Sequence, residues 1–161
     1  MENKFQKMLE QASDLSEEQE FEEAILVYNK ILKSDPKNIP ALLDKAATLQ
    51  RMGKNSQSFQ LYNSVLNEDP KNLDALVGKG THLHAKSKFI DAIKCYDMAL
   101  KLKPQFAMAL AYKGMSLGEM GKFNDALSCF KKALVIDKDY DLANMGKQKA
   151  LELLKSQKSK K

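Results

Sequence analysis

His82 and His84 are the only histidines in the chain, the residue type best suited to metal ligation and proton transfer. On a helix, positions two apart point about 200° apart, so the pair cannot close on one ion, and no metal is expected. Cys95 and Cys129 lie 34 residues apart. Packed helices would hold two such thiols about 10 Å apart, beyond the roughly 7 Å that a disulfide tolerates between Cα atoms. Gly78-Lys79-Gly80-Thr81 carries the residue types of a phosphate loop. It lacks the earlier glycine and the preceding strand that such a loop needs, so no nucleotide or other cofactor is expected. No serine, cysteine or carboxylate stands beside a plausible base. The chain is therefore expected to be non-enzymatic, with binding as its chemistry.

Binding surfaces must be held by elements, and the composition says which kind. Apolar residues make up 43% and charged residues 29% of 161, enough for a core and against disorder. Seven glycines and four prolines are too few for a strand-and-turn architecture. The longest apolar run, Phe106 to Tyr112, spans seven residues against the about 20 of a membrane helix. No secretory signal opens the sequence and no Asn-x-Ser/Thr sequon occurs. With two cysteines, this favours a reducing, cytoplasmic location.

The chain repeats itself. Residues 28–38 read YNKILKSDPKN, 62–72 read YNSVLNEDPKN, 96–106 read YDMALKLKPQF and 130–140 read FKKALVIDKDY. Pro36, Pro70 and Pro104 are spaced by 34, and the next step lands on Lys138 with the register intact. The blocks are 5–38, 39–72, 73–106 and 107–140. They follow a leader at 1–4 and precede a capping helix at 141–156 and a basic, frayed tail at 157–161. Each block holds two apolar patterns of helical spacing. In the last, Ala107, Leu110, Gly114 and Leu117 precede a break at Gly121-Lys122, and Phe123, Ala126, Leu127, Phe130, Ala133 and Leu134 follow it. A closing proline ends the second helix, because it lacks an amide donor and restricts the residue before it.

Several slots then agree together. Small residues recur at Ala12, Ala46, Gly80 and Gly114, and leucines at Leu15, Leu49, Leu83 and Leu117. Phe21, Phe89 and Phe123 open the second helices, and Ala24, Ser58, Ala92 and Ala126 follow. Tyr28, Tyr62, Tyr96 and Phe130 complete a pattern that resembles the tetratricopeptide repeat family over residues 5–140. Departures are Met8, Leu42, Leu76 and Leu110 where the family often has a large aromatic, and Gln11, Lys45, Lys79 and Lys113 in the adjoining leucine slot. Asn55 replaces the aromatic in block two and marks the softest point of the array.

The resemblance implies an all-α fold: a right-handed α-solenoid of four helix-turn-helix repeats closed by a C-terminal helix through Leu142, Met145, Leu151 and Leu154. It also implies a protein-protein interaction module, an adaptor or scaffold holding a partner's peptide or helix in a concave groove. The family's groove slots fall on Leu9, Ser13, Leu43, Ala47, Val77, Thr81, Ala111 and Met115, flanked by Gln50, Arg51, His84, Met108, Tyr112 and Glu119. Covering about 400 Å² at about 25 cal/mol per Å² gives about 10 kcal/mol gross, against about 4–15 for association, so micromolar affinity is expected. Co-chaperone members clamp a carboxylate tail with cationic side chains. The matching slots here hold Leu9, Ser13, Asp44, Asp74 and Gly78, or, one block later, Leu43, Ala47, Gly78, Met108 and Tyr112. Neither set offers a cationic fork, so that mechanism is not expected.

Charge is unevenly spread. Block one carries net −4, with Glu17, Glu18, Glu20, Glu22 and Glu23 around its turn; the later blocks carry +1, +3 and +1, and residues 141–161 carry +4. This polarity could orient a partner or favour self-association. An alternative reading is an accessory nucleic-acid-binding protein acting through the basic C-terminal half. The tail, Lys155 to Lys161, holds neither arginine nor an aromatic for base stacking, so nucleic acid is the weaker expectation.

Overall fold

The structure, a computed structural model, describes residues 4–159. Among them run α1 (Gln6–Glu17), α2 (Phe21–Ser34), α3 (Ile39–Arg51), α4 (Asn55–Glu68), α5 (Leu73–Ala85), α6 (Phe89–Leu102), α7 (Ala107–Glu119), α8 (Phe123–Ile136) and α9 (Asp141–Lys158), with no strand. The fold is an all-α helical repeat, two helices to a block. The C-terminal helix runs two residues past the expected end at 156. Part of the expected leader (1–3) and of the tail (160–161) lies outside the described residues.

The turns inside the blocks share one construction. Backbone N–H groups of Glu20, Lys54, Lys88 and Lys122 donate to the carbonyls of Leu15, Leu49, Leu83 and Leu117 at 2.8–2.9 Å. That bond defines a Schellman cap, which requires a left-handed residue just before the donor. Those residues are Gln19 (φ 67°), Gly53 (75°), Ser87 (57°) and Gly121 (74°). Glycine adopts this conformation without strain, whereas other residues lose about 1–2 kcal/mol there, offset by about 0.5–1 from a more ordered unfolded chain. Gln19→Gly and Ser87→Gly are each expected to gain about 0.5–1 kcal/mol, read as a higher urea midpoint at unchanged slope.

Between blocks, the chain leaves each second helix through an extended residue: Asp35 (φ −140°, ψ 87°), Asp69 (−133°, 89°), Lys103 (−137°, 90°) and Asp137 (−137°, 104°). Three precede proline, which favours that region; Asp137 adopts it without one. Asn38 Oδ1 then accepts from the Ala41 N–H at 3.1 Å and Asn72 Oδ1 from Ala75 at 3.0 Å, satisfying helix donors. Phe106 and Tyr140 replace these caps without a side-chain bond.

The chain divides into two compact units, Met1–Gly78 and Lys79–Lys161, and the division falls within α5. In the first unit, Leu9, Ala12, Ala24, Val27, Tyr28, Ile31 and Ala41 form one buried cluster. Leu42, Ala46, Tyr62, Val65 and Ala75 form another, and Leu32 packs against both. In the second unit, Leu110, Ala111, Leu117, Ala126, Phe130, Ala133, Ala143 and Ala150 make the core joining α7, α8 and α9. Small residues at the crossings let aromatic rings lie against backbone. Methyl groups at Gly78, Gly80 and Gly114 would overlap the rings of Tyr62, Tyr96 and Phe130 respectively.

Candidate functional site

α9 keeps the phase of the first helices, so it stands beside α7 as the first helix of an unfinished fifth block. Between them opens a cleft of about 580 Å³. Phe130, 3% exposed, is its floor. Met115, Leu142, Met145, Ala150 and Leu153 are its apolar walls, and Glu119, Gln148, Lys149 and Glu152 stand at its rim.

Why the cleft is open follows from the residues one step earlier in the repeat. Ser16 and Thr48, near the ends of the first helices of adjacent blocks, hold their hydroxyls 3.0 Å apart. The equivalent slots in the second unit are His84 and Ser116, with Nδ1 and Oγ 2.9 Å apart. One block further on, the same two slots are Gly118 and Ala150, which have no polar group to join. A methyl group at Gly118 would meet nothing within 4 Å. The missing rung is the cleft.

The His84–Ser116 pair has the residue types of a base and a nucleophile. Ser116 is 0% exposed, so its hydroxyl has no route to a substrate and the pair works as a bolt between α5 and α7. Burial holds the His84 imidazole below its ordinary value, with the Glu119 carboxylate partly opposing. A depressed histidine favours the neutral form in the fold, so its contribution is whole above the unfolded value of about 6.5 and is lost as pH falls below that toward the folded value. The thermal midpoint is expected to drop more between pH 7.5 and 5 in the wild type than in His84→Gln, measured by circular dichroism.

The other groove slots fall in varied surroundings. Met115 and Glu119 line the cleft, and Met108 is exposed. Ala111 is fully buried in the core of the second unit. Tyr112 stacks on Tyr96 at 6.1 Å, and burial pushes its hydroxyl up. Thr81 and His84 are half-buried. In the first unit Leu9 and Val77 are buried, at 7% and 2% exposure, whereas Ser13 and Ala47 are open. Leu43 is half-buried against the Leu42 cluster. Gln50 Oε1 accepts from the Tyr62 hydroxyl at 3.2 Å. Arg51 donates from Nη1 to the Ser16 carbonyl at 2.7 Å and covers the Phe21 ring at 4.9 Å. Burial, then the nearby Asp74, raises the Asp44 carboxyl. Neither carboxylate offers the cationic fork that the co-chaperone clamp would need. Both cysteines are free thiols.

A family model described as "Psidin, N-terminal TPR repeats region" matches residues 7–107, and one described as "Tetratricopeptide repeat" matches 109–140. The chain belongs to the tetratricopeptide repeat family. At that level it is a protein-protein interaction module, of a family whose members are in general non-enzymatic scaffolds. Among solved structures, a thermophilic TPR protein of Thermus thermophilus, TTC0263, is similar at TM-score 0.80 and 18% identity, over 92% of this chain and 87% of that one. MamA is similar at 0.69 and 22%, over 93% and 97%. The first TPR domain of human RPAP3 is similar at 0.70 and 18%, over 77% and 98%. At these identities the likeness concerns the fold. No curated protein matches the chain in sequence. Among the described residues, no helix is long and apolar enough to cross a membrane.

The α9 side of the cleft is a site that the groove slots left out. Leu142 and Met145 read as cap residues, yet Met145, Gly146 and Lys149 lie 34 past Ala111, Tyr112 and Met115. Carrying the period one helix further would have found them.

Proposed function

We propose that the chain is an adaptor that holds a peptide or helix of a partner protein along its first-helix faces, anchored by an apolar side chain in the α7–α9 cleft. The observation that carries this reading is the cleft itself: an apolar recess over Phe130, open because Gly118 and Ala150 replace a hydrogen-bonded pair. A leucine or phenylalanine buried there would remove about 150 Å² from water, worth about 4 kcal/mol at about 25 cal/mol per Å². Glu119 and Glu152 beside Lys149 supply a mixed rim for the flanking backbone and polar groups. The location proposed with this reading is the cytoplasm, on the sequence expectation drawn from the two cysteines.

The test is crosslinking mass spectrometry from native lysate, comparing wild type with Leu43→Asp, Met115→Glu and Gly118→Leu. Gly118→Leu enters the recess from a position where an added Cβ meets no atom within 4 Å. It is expected to lose the crosslinked partner at least about tenfold while staying folded. Partners retained by all three folded variants would overturn the reading. RNA binding that survives about 200 mM salt and disappears on deleting residues 155–161 would favour the nucleic-acid alternative instead.

A further inference from the structure

A second groove lies on another face of α7. Among the described residues, α6 and α8 each pack on α7 but not on one another, which leaves a furrow between them. It comprises two clefts of about 470 and 640 Å³ that share Lys113 and Cys129. Its floor is α7 through Leu110, Lys113 and Leu117.

Two residues in this furrow are not explained by the fold. Ile90 and Val135 are 62% and 84% exposed. Their counterparts in the other blocks are Glu22, Ser56 and Asn124 for Ile90, and Lys33, Asn67 and Lys101 for Val135. The repeat thus treats both slots as solvent positions, and this chain puts a β-branched apolar side chain in each. Val135 is in register with position 101 of α6, eleven residues beyond Ile90, so the two lie about 16 Å apart along the furrow. Eleven residues are close to three helical turns, the separation between the ends of an apolar stripe at i, i+4, i+7 and i+11.

The walls carry more positive than negative charge. Lys94 and Lys101 of α6, Lys132 of α8, Lys122 just before α8 and Lys113 on the floor outnumber two aspartates, Asp97 and Asp125, and Lys94 also pairs with Asp91 at 2.9 Å. Asp97 is already held by Lys113 at 2.6 Å.

We propose that this furrow docks an acidic amphipathic helix of another protein, its apolar stripe running from Ile90 to Val135 and its carboxylates meeting the lysine walls. The apolar floor and anchors favour a protein over a nucleic acid, since they offer nothing to a phosphate and no aromatic ring to a base. The site is separate from the α7–α9 cleft and does not depend on the function proposed for it.

The test uses the full chain and a fluorescein-labelled 16-residue peptide with leucine at i, i+4, i+7 and i+11 and glutamate elsewhere on its flanks. Anisotropy is expected to show saturable binding that weakens several-fold as salt rises from about 50 to 300 mM. Val135→Glu and the pair Lys94→Glu with Lys132→Glu are expected to weaken it at least about tenfold. All three residues are exposed, so folding is spared, and Met115→Glu in the other cleft should leave binding unchanged. Four results would overturn the proposal: no saturation by about 1 mM, equal binding of a lysine-for-glutamate peptide, retained binding in the furrow variants, or displacement by oligouridylate. Concentration-dependent dimerisation abolished by Val135→Glu would also overturn it, by assigning the face to a second copy.

Discussion

Phe130→Ala is expected to cost the second unit about 4 kcal/mol, in the middle of the about 3–5 typical of buried aromatic truncations. How far the surroundings can collapse into the gap decides where in that range a site falls. Phe130 lies between two glycines: a methyl added at Gly114 would sit 2.8 Å from its Cε1, and one added at Gly146 would overlap the ring. Helix backbone of α7 and of α9 therefore lies against the Cε1–Cζ edge of the ring, and backbone cannot swing in to fill the gap as a side chain would. Relief requires α7 and α9 to close toward each other, which strains the packing of Ala126, Ala133 and Ala143. Urea unfolding of the full chain measures the loss, and a value below about 2 kcal/mol would mean that the helices do close. Because Phe130 is also the cleft floor, the same variant should lose any ligand anchored there, whereas Phe130→Leu should keep part of both.

Much of this architecture was legible because each repeat states its own geometry. The 34-residue spacing of Pro36, Pro70 and Pro104 places the helix ends, and Gly53 and Gly121 mark left-handed turns directly. Gln19 and Ser87 adopt the same turn without announcing it, since the Schellman hydrogen bond imposes a conformation that their own preferences oppose. Asp137 likewise takes the extended geometry that proline enforces elsewhere. The groove slots were harder to read. Leu9, Val77 and Ala111 sit where a helix face turns from open surface into the seam with its neighbour, and only the packing distance decides which side a residue joins. The cleft was harder still, because it is made by what Gly118 and Ala150 lack. Helical periodicity registers apolar side chains; it does not register an absent hydroxyl.

Gly146→Val is expected to destabilise the second unit by about 2–3 kcal/mol, although replacing a helical glycine normally helps. The helix-propensity gain from glycine to valine is a few tenths of a kcal/mol, while overpacking a core typically costs about 1–3. Overpacking dominates here because the added atoms meet the Phe130 ring, whose Cε1–Cζ edge is already packed close to Gly114 as well. Gly118→Ala, in α7 with open space around it, carries the propensity gain alone and should stabilise by about 0.5–1 kcal/mol. The two substitutions thus have opposite signs at glycines that sequence alone does not distinguish. A double variant separates clash from backbone strain. If the ring is the obstacle, Gly146→Val combined with Phe130→Ala should be less damaging than the two losses added, by about 1–3 kcal/mol, because the valine occupies the vacated space. Additive losses in urea unfolding would locate the penalty in the α9 backbone and would remove the ring-between-glycines account of this core.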